Sequence, residues 1–221
     1  VGDRWCGMWM DRELRQARMA AIPLNEDWVD GPNREQLRIS TRSTNGGFLK
    51  PAMSIWHRTL DSEPMKIGVS GENIVFTTVT GVYMIDSDAN EIWRGMLPRW
   101  PDISSLFAFD QIVGIVEFSG GLSIWSRAGG VSVIDPSNGL EIFSRTIQFG
   151  DKISGVSYSE EGGWFVMLHE GSIAVMDKIE GDFSPYKTGS PVLDAQFIDG
   201  SWRWTGWRHD GSLTAVSYTH L

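Results

Sequence analysis

The stretch Thr78–Trp93, TVTGVYMIDSDANEIW, contains the elements that decide the fold. In it a glycine is followed by a short apolar strand ending in aspartate, then by a polar turn, then by a strand that carries an aromatic residue. The same order returns along the chain, and the glycines that open it are separated by 49, 41 and 40 residues. These repeat glycines are Gly81, Gly130, Gly171 and Gly211. A fixed period of this kind is typical of a repeat protein.

Two turns recur in every complete copy. The repeat glycine permits the positive φ of a tight hairpin between two apolar strands. An aspartate then ends the second of these strands, and a residue that tolerates left-handed geometry stands four positions later, as in an Asx turn. The sequence therefore assigns a structural turn role to the repeat glycines and to three further pairs, which are Asp86 and Asn90, Asp135 and Gly139, and Asp177 and Gly181.

A further strand precedes each copy, most clearly in ISGVSYSEEGG and VLDAQFIDGS. Four strands within about 40 residues, joined by short turns, match the size of one β-propeller blade. A β-sandwich also has short strands, but it does not require the same turn at the same phase. We therefore predict an all-β propeller with four to five visible blades of four-stranded antiparallel sheets, forming an incomplete ring over residues 66–221.

Three stretches resemble known propeller repeats. Residues 153–177, ISGVSYSEEGGWFVMLHEGSIAVMD, and 192–216, VLDAQFIDGSWRWTGWRHDGSLTAV, resemble WD40-like blades. Residues 71–94, GENIVFTTVTGVYMIDSDANEIWR, look like a blade of the PQQ-like, quinoprotein-like propellers. The GH and WD dipeptides of WD40 blades are absent, so the resemblance assigns no subfamily. A quinoprotein enzyme would hold a quinone and calcium, often with adjacent cysteines, whereas Cys6 is the single cysteine.

Residues 1–65 follow the repeat less clearly. Asp11–Ile22 is predicted to form a helix capped by Asp11 and stopped by Pro23, and Leu37–Arg42 alternates as a strand does. We interpret residues 1–65 as a divergent blade with a helical insertion; an independent segment leading into the propeller is the alternative. The chain begins with valine, and the final VSYTHL resembles a read-through tail, so we expect a fragment, with residues 217–221 of uncertain origin.

The net charge of −9 argues against a nucleic-acid binder, which usually shows a basic stripe. The apolar runs are too short to cross a bilayer, so no membrane insertion is expected. A single cysteine excludes an intrachain disulfide and is compatible with the cytoplasm, although the missing initiator methionine leaves export open. We expect the completed ring to be monomeric.

Several features have two interpretations. DSDAN at residues 86–90 spaces oxygens as a calcium loop does, and it distantly resembles the Asp box of sialidase-type propellers, yet a plain turn explains it. His169 and His209 occupy the same place in successive copies, either as a metal or ligand pair or as solvent-exposed turn residues. Trp202, Trp204 and Trp207 suit either a stacking platform or packing between blades.

The sequence contains no nucleophile signature, phosphate-binding loop or metal motif, and it assigns no catalytic residue, metal ligand or cofactor. The predicted function is a non-catalytic scaffold that binds a protein or peptide partner on its loop face. The residues predicted for that face are Thr80, Arg127, His169, Glu170, His209 and Asp210. The alternatives are a cofactor-binding or glycan-active propeller enzyme, quinoprotein-like or sialidase-like, and an exported assembly factor.

Overall fold

A computed structural model describes residues 1–11, 15–27, 29–33, 35–36, 38–39, 51–101, 103 and 111–214. Its eighteen strands are β1 Arg4–Asp11, β2 Gln16–Pro23, β3 Trp56–Thr59, β4 Pro64–Ser70, β5 Asn73–Thr78, β6 Gly81–Ile85, β7 Glu91–Met96, β8 Ile112–Phe118, β9 Gly121–Ser126, β10 Gly130–Ile134, β11 Glu141–Thr146, β12 Ile153–Ser159, β13 Gly163–Leu168, β14 Ser172–Met176, β15 Ser184–Lys187, β16 Val192–Ile198, β17 Ser201–Gly206 and β18 Gly211–Thr214. Residues 35, 36, 38 and 39 are helical.

The strands form five antiparallel sheets in which neighbours in sequence are neighbours in space. Three sheets have four strands each, β4–β7, β8–β11 and β12–β15, and two have three, β1–β3 and β16–β18. The predicted all-β class with blades of antiparallel strands is confirmed. The chain divides into an N-terminal unit, Val1–Arg94, and a C-terminal unit, Gly95–Leu221.

The repeat phase read from the sequence is confirmed strand by strand. The third strands of the three four-stranded sheets, β6, β10 and β14, each contain five residues. The strand predicted ahead of each copy is β4, β8, β12 or β16. In the C-terminal unit these first strands lie side by side, since β12 contacts both β8 and β16.

Aromatic packing between sheets forms the core of the C-terminal unit. Trp125 of β9 and Trp164 of β13 are fully buried, with ring centroids 5.2 Å apart. On the other face of the β12–β15 sheet, Phe165 packs against Trp202 at 5.0 Å, and the Trp202 indole donates to the Gly162 carbonyl at 3.0 Å. Of the two interpretations of Trp202, the structure supports packing between sheets.

The N-terminal unit has a core of its own. Met19 of β2, Ile74 and Phe76 of β5 and Ile85 of β6 are buried together. Phe76 stacks on Tyr83 with ring centroids 5.0 Å apart. The first two sheets therefore share apolar side chains, as adjacent blades do.

The helix predicted over Asp11–Ile22 is wrong. Asp11 ends strand β1, and residues 16–23 form β2, which pairs with β1 from Arg4↔Pro23 to Asp11↔Gln16. Ala17 to Ile22 are buried without interruption. A strand buried on both faces is a nearly continuous apolar run, interrupted here by the buried Arg18, and periodicity alone does not separate such a run from a buried helix.

The strand predicted over Leu37–Arg42 is also wrong where it is described, because Arg38 and Ile39 are helical. Leu37 and residues 40–42 lie outside the described residues, as does the C-terminal stretch 215–221. The predicted domain boundary at residue 65 stays a prediction. The β1–β3 sheet occupies residues 4–59, with the helical residues between β2 and β3.

No helix among the described residues is long and apolar enough to span a membrane.

The repeat glycines do not share one backbone conformation. Gly171 has φ +79, as predicted, and Gly81 begins β6 without a positive φ. Gly130 and Gly211 are not left-handed either and begin strands β10 and β18. A Cβ on either would lie 2.3 Å from an indole ring, that of Trp100 or Trp204. At these two positions glycine is required by the close approach of a tryptophan rather than by positive φ.

Candidate functional site

One end of the C-terminal unit collects the second-to-third-strand turns and the connectors between sheets. In a four-stranded antiparallel sheet both kinds of segment lie at the same end, because the strands alternate in direction. Backbone hydrogen bonds join them: Ile153 N–H donates to Arg127 O at 2.9 Å, and His169 N–H donates to Lys152 O at 2.9 Å. We call residues 127–129, 148–152, 169–171, 188–191 and 207–210 the hairpin-turn surface.

Arg127 and His169, predicted separately from the repeat phase, are in contact on this surface. The Arg127 guanidinium lies 2.8 Å from His169 Nε2. A guanidinium can only donate, so Nε2 accepts in this contact and the ring hydrogen is assigned to Nδ1. The contact joins the turns of two neighbouring sheets through side chains.

The two in-phase histidines are expected to hold opposite tautomers. His209 Nε2 lies 2.7 Å from the Thr188 carbonyl, which only accepts, so this ring carries its hydrogen on Nε2. Long-range ¹H–¹⁵N correlation spectra at neutral pH should show the Nδ1–H form for His169 and the Nε2–H form for His209. In Arg127→Ala the preference of His169 should disappear while that of His209 persists. The same tautomer at both sites would contradict the assignment.

The other predicted residues of this unit are also exposed at the turns. Glu170 N–H donates to Asp151 Oδ2 at 2.7 Å, which ties the β13–β14 turn to the preceding connector. Asp210 Oδ1 accepts from Gly206 N–H at 3.4 Å. The structure therefore brings Arg127, His169, Glu170, His209 and Asp210 onto one continuous surface, and each histidine has its own partner instead of forming a pair.

Thr80, the sixth predicted residue, belongs to the N-terminal unit and has a different setting. Its hydroxyl donates to Asp61 Oδ2 at 2.9 Å, and the Tyr83 hydroxyl donates to the same carboxylate. Desolvation raises the pKa of Asp61, but hydrogen bonds from Tyr83, Thr80, Thr78 and Ser62 outweigh it and hold the pKa below its ordinary value. Thr80 is thus engaged in a cluster that fixes the β5–β6 turn.

The aspartates of the repeat form the predicted Asx turns in two copies. Asp86 Oδ1 accepts from the backbone N–H groups of Asp88 at 2.9 Å and Asn90 at 2.8 Å, and Asp135 Oδ1 accepts from Ser137 N–H at 2.8 Å. Hydrogen bonds from Asn90, and then Asp88, lower the pKa of Asp86. Those from Ser137, then Asn138, lower the pKa of Asp135.

The left-handed residue of these turns is not always the predicted one. It is Ala89, with φ 67, in the first copy, one position before Asn90, and it is Gly139, with φ 74, in the second. In the third copy Gly181 does not have the predicted positive φ, and its N–H donates to Lys178 O at 3.1 Å. Since the oxygens of Asp86 already accept turn hydrogen bonds and Asp88 pairs with Arg4 at 3.1 Å, the geometry favours a plain turn over a calcium loop.

Asp151 and Trp207 are two notable residues of the hairpin-turn surface that were not in the predicted set. Asp151 lies in the β11–β12 connector, and the strand directions implied by the repeat would have placed it beside the turns. Trp207 is 73% exposed at the tip of the β17–β18 turn, whereas Trp202 is 1% exposed. The sequence offered the same two interpretations for both tryptophans, and it did not show that Trp207 faces solvent.

Two features bear on metal binding and on pocket chemistry in the described residues. Among them, no group of three or more His, Cys, Asp or Glu side chains could hold a metal ion. A cavity of about 230 Å³ in the N-terminal unit is lined by Arg58, Asp61, Tyr83, Glu91 and Arg94, among others. Glu91 pairs with Arg94 at 2.8 Å, so both carboxylates of this cavity already have partners.

The described residues form five antiparallel sheets, and four of these have turns at a common repeat phase. These features define the class: this is a β-propeller fold. No protein-family model and no curated protein sequence matches the chain.

Solved structures resemble the chain at low identity. They include the WD40 domain of Neurospora crassa Pan2 (10% identity, TM-score 0.56, covering 89% of this chain and 54% of that one) and Saccharomyces cerevisiae Sqt1 (12%, 0.60, 98% and 56%). A third is BBS1N, solved in complex with ARL6DN (13%, 0.57, 96% and 65%). The chain thus spans less than two thirds of the length of each. At these identities the likeness shows the fold alone.

Proposed function

We propose that the protein is a non-catalytic β-propeller scaffold that binds a protein or peptide partner through the hairpin-turn surface. The observation that carries the proposal is the continuity of this surface. Three successive turns and two connectors are joined by hydrogen bonds and expose charged and aromatic side chains. Loops held by a rigid sheet framework are where binding residues concentrate.

The composition of the surface supports recognition of another protein. Arginine and tryptophan are enriched among the residues that dominate binding energy at protein interfaces. Arg127, Trp207 and Arg208 supply these residue types, and the last two are exposed. Among the structural neighbours, BBS1N is recorded in a complex with ARL6DN, which is consistent with a propeller used as a protein-binding framework.

The cofactor-binding or glycan-active alternative finds less support. Such an enzyme needs carboxylates that converge on an open pocket with free oxygens. In the N-terminal cavity, Asp61 accepts hydrogen bonds from Tyr83 and Thr80, and Glu91 is paired with Arg94. The quinoprotein-like subfamily and the exported assembly factor stay predictions from sequence.

A five-alanine variant tests the proposed function. The variant replaces the predicted surface residues of the C-terminal unit, Arg127, His169, Glu170, His209 and Asp210. A protein captured from cell extract by the wild-type chain is purified, and its Kd is measured by calorimetry. We expect the variant to weaken binding at least about tenfold, a change of about 1.4 kcal/mol.

Glu160→Ala/Glu161→Ala is the matched control for that experiment. These exposed carboxylates lie in the β12–β13 turn, at the opposite end of the strands. The control should bind as the wild type does, and far-UV circular dichroism should show both variants folded. An unaltered Kd in the five-alanine variant, or an equal loss in the control, would contradict the proposed surface.

A further inference from the structure

The contact between Arg127 and His169 links two turns of neighbouring sheets. Arg127 lies in the β9–β10 turn and is half-buried, and His169 lies in the β13–β14 turn and is exposed. The guanidinium donates to His169 Nε2 at 2.8 Å. The backbone of Arg127 belongs to the same junction, since Arg127 O accepts from Ile153 N–H at 2.9 Å. The side-chain contact is therefore a cross-link within the hairpin-turn surface.

Only one protonation state of His169 is compatible with this contact. A guanidinium never accepts a hydrogen bond, so Nε2 must keep its lone pair as long as the contact lasts. With the ring hydrogen on Nδ1, a second proton can enter the ring only at Nε2. That proton would remove the acceptor and place an imidazolium beside a guanidinium, which is a repulsion between like charges. Proton uptake by His169 is therefore expected to break the cross-link.

The second in-phase histidine does not have this property. His209 Nε2 donates to Thr188 O at 2.7 Å. Both ring nitrogens of a protonated histidine carry hydrogen, so His209 can take up a proton and keep this contact. Two histidines at the same repeat phase are thus expected to respond to acid in opposite ways.

The charged groups around His169 come from three segments. Arg127 faces it from the β9–β10 turn. The β11–β12 connector supplies Lys152, whose carbonyl accepts from His169 N–H at 2.9 Å, and Asp151, whose Oδ2 accepts from Glu170 N–H at 2.7 Å. Glu170 itself follows His169 on the same turn. A protonated His169 would thus be repelled by Arg127 and attracted by the carboxylates of the connector and of its own turn.

The β15–β16 connector also contacts the turn of His169 but adds no charge. Gly171 O accepts from Thr188 N–H at 2.9 Å, and residues 188–191 are uncharged. Arg127 is therefore the group whose contact with His169 depends directly on the protonation state of the ring.

We propose that the Arg127–His169 contact is a pH switch that regulates the hairpin-turn surface. Histidine is the side chain that changes charge between about pH 5 and about pH 8. The contact forms at the upper end of this range and is lost as the pH falls. Its loss removes the side-chain link between two turns and adds a positive charge to the surface, so partner binding weakens in acid. The inference rests on the proposed function and specifies the regulation of that surface.

The Nη signals of Arg127 in carbon-detected Cζ–Nη correlation spectra of the full chain test the switch without a partner. A guanidinium held by a hydrogen bond rotates slowly about its Cζ–Nη bonds and gives resolved Nη signals, whereas a free one gives averaged signals. The wild type should show resolved Arg127 signals at about pH 8 and averaged signals at about pH 5.

His169→Gln is the decisive variant, because its side-chain oxygen can accept from Arg127 but the amide does not take up a proton in this range. The Arg127 signals of this variant should show no pH response. His209→Gln is the matched control, and its Arg127 signals should follow those of the wild type. Wild-type signals that are the same at both pH values, or an equal pH response in His169→Gln, would overturn the proposal.

Binding measurements separate the switch from the proposed function. The partner purified for the five-alanine experiment should bind the wild type about threefold to fivefold more weakly at about pH 5 than at about pH 8, beyond any change seen with His169→Gln. An equal pH dependence of Kd in the two chains would overturn the regulation and leave the proposed surface standing. An unaltered Kd in the five-alanine variant would instead contradict the surface, whatever the Arg127 spectra show.

Discussion

Replacing Trp164 by alanine is expected to lower the free energy of unfolding by about 3–5 kcal/mol, which is a large part of the stability of an ordinary domain. Trp164 is 1% exposed. Its indole lies within 5.2 Å, between ring centroids, of the rings of Phe118, Trp125 and Tyr158. Alanine would leave a cavity between two sheets and remove all three aromatic contacts. Urea unfolding followed by far-UV circular dichroism measures the loss.

Trp207→Ala is the matched control for this experiment. It removes the same side chain from a position that is 73% exposed, so the expected change is within about 0.5 kcal/mol. Trp164→Phe should fall between the two variants, because a smaller ring keeps part of the packing. Similar losses in Trp164→Ala and Trp207→Ala would show that the sheets do not pack through Trp164.

The second large effect is expected at Gly163, the first residue of β13. It has φ +65, and an added Cβ would lie 2.3 Å from the Met176 carbonyl oxygen of β14. A left-handed alanine costs about 1–2 kcal/mol, and overpacking adds about 1–3 kcal/mol. Gly163→Ala should therefore destabilise the protein by about 2–5 kcal/mol in the same unfolding assay.

Gly200→Ala separates the conformational cost of a left-handed alanine from the cost of overpacking. Gly200 has a similar φ of +74, but a Cβ there would meet nothing within 4 Å. Only the conformational cost of about 1–2 kcal/mol is expected. Equal losses at Gly163 and Gly200 would mean that the contact with Met176 is relieved by a small backbone shift.

The strand pattern of residues 64–214 could be predicted because its signals are local. Hairpin turns and apolar runs depend on residues close in sequence, and they marked β6, β10 and β14 at the correct phase. Prediction from local signals failed where one sequence pattern is compatible with both a helix and a strand. The run Ala17–Ile22 suited a helix or a buried strand, and only its pairing with β1 decides between them.

The candidate site could be predicted in part for the same reason. Repeat phase selected Arg127 and His169 independently, and strand direction placed both at one end of their sheets. Their direct contact was not predictable, because it depends on the distance between two sheets. Asp61 and Asp151 were missed because each is defined by residues about 20 positions away in sequence.

The sequence by itself determined that this chain is a β repeat protein: the glycine period, the aspartate turns and the alternating strands act within about 40 residues. Tertiary structure alone decided why glycine is needed at each repeat position. Gly171 needs positive φ. Gly130 instead makes room for Trp100, which lies 30 residues earlier, and Gly211 makes room for Trp204, which lies seven residues earlier. Tertiary structure alone also decided that Trp202 is buried while Trp207 is exposed, since the burial of a side chain depends on the sheet that packs against it and not on the residue type.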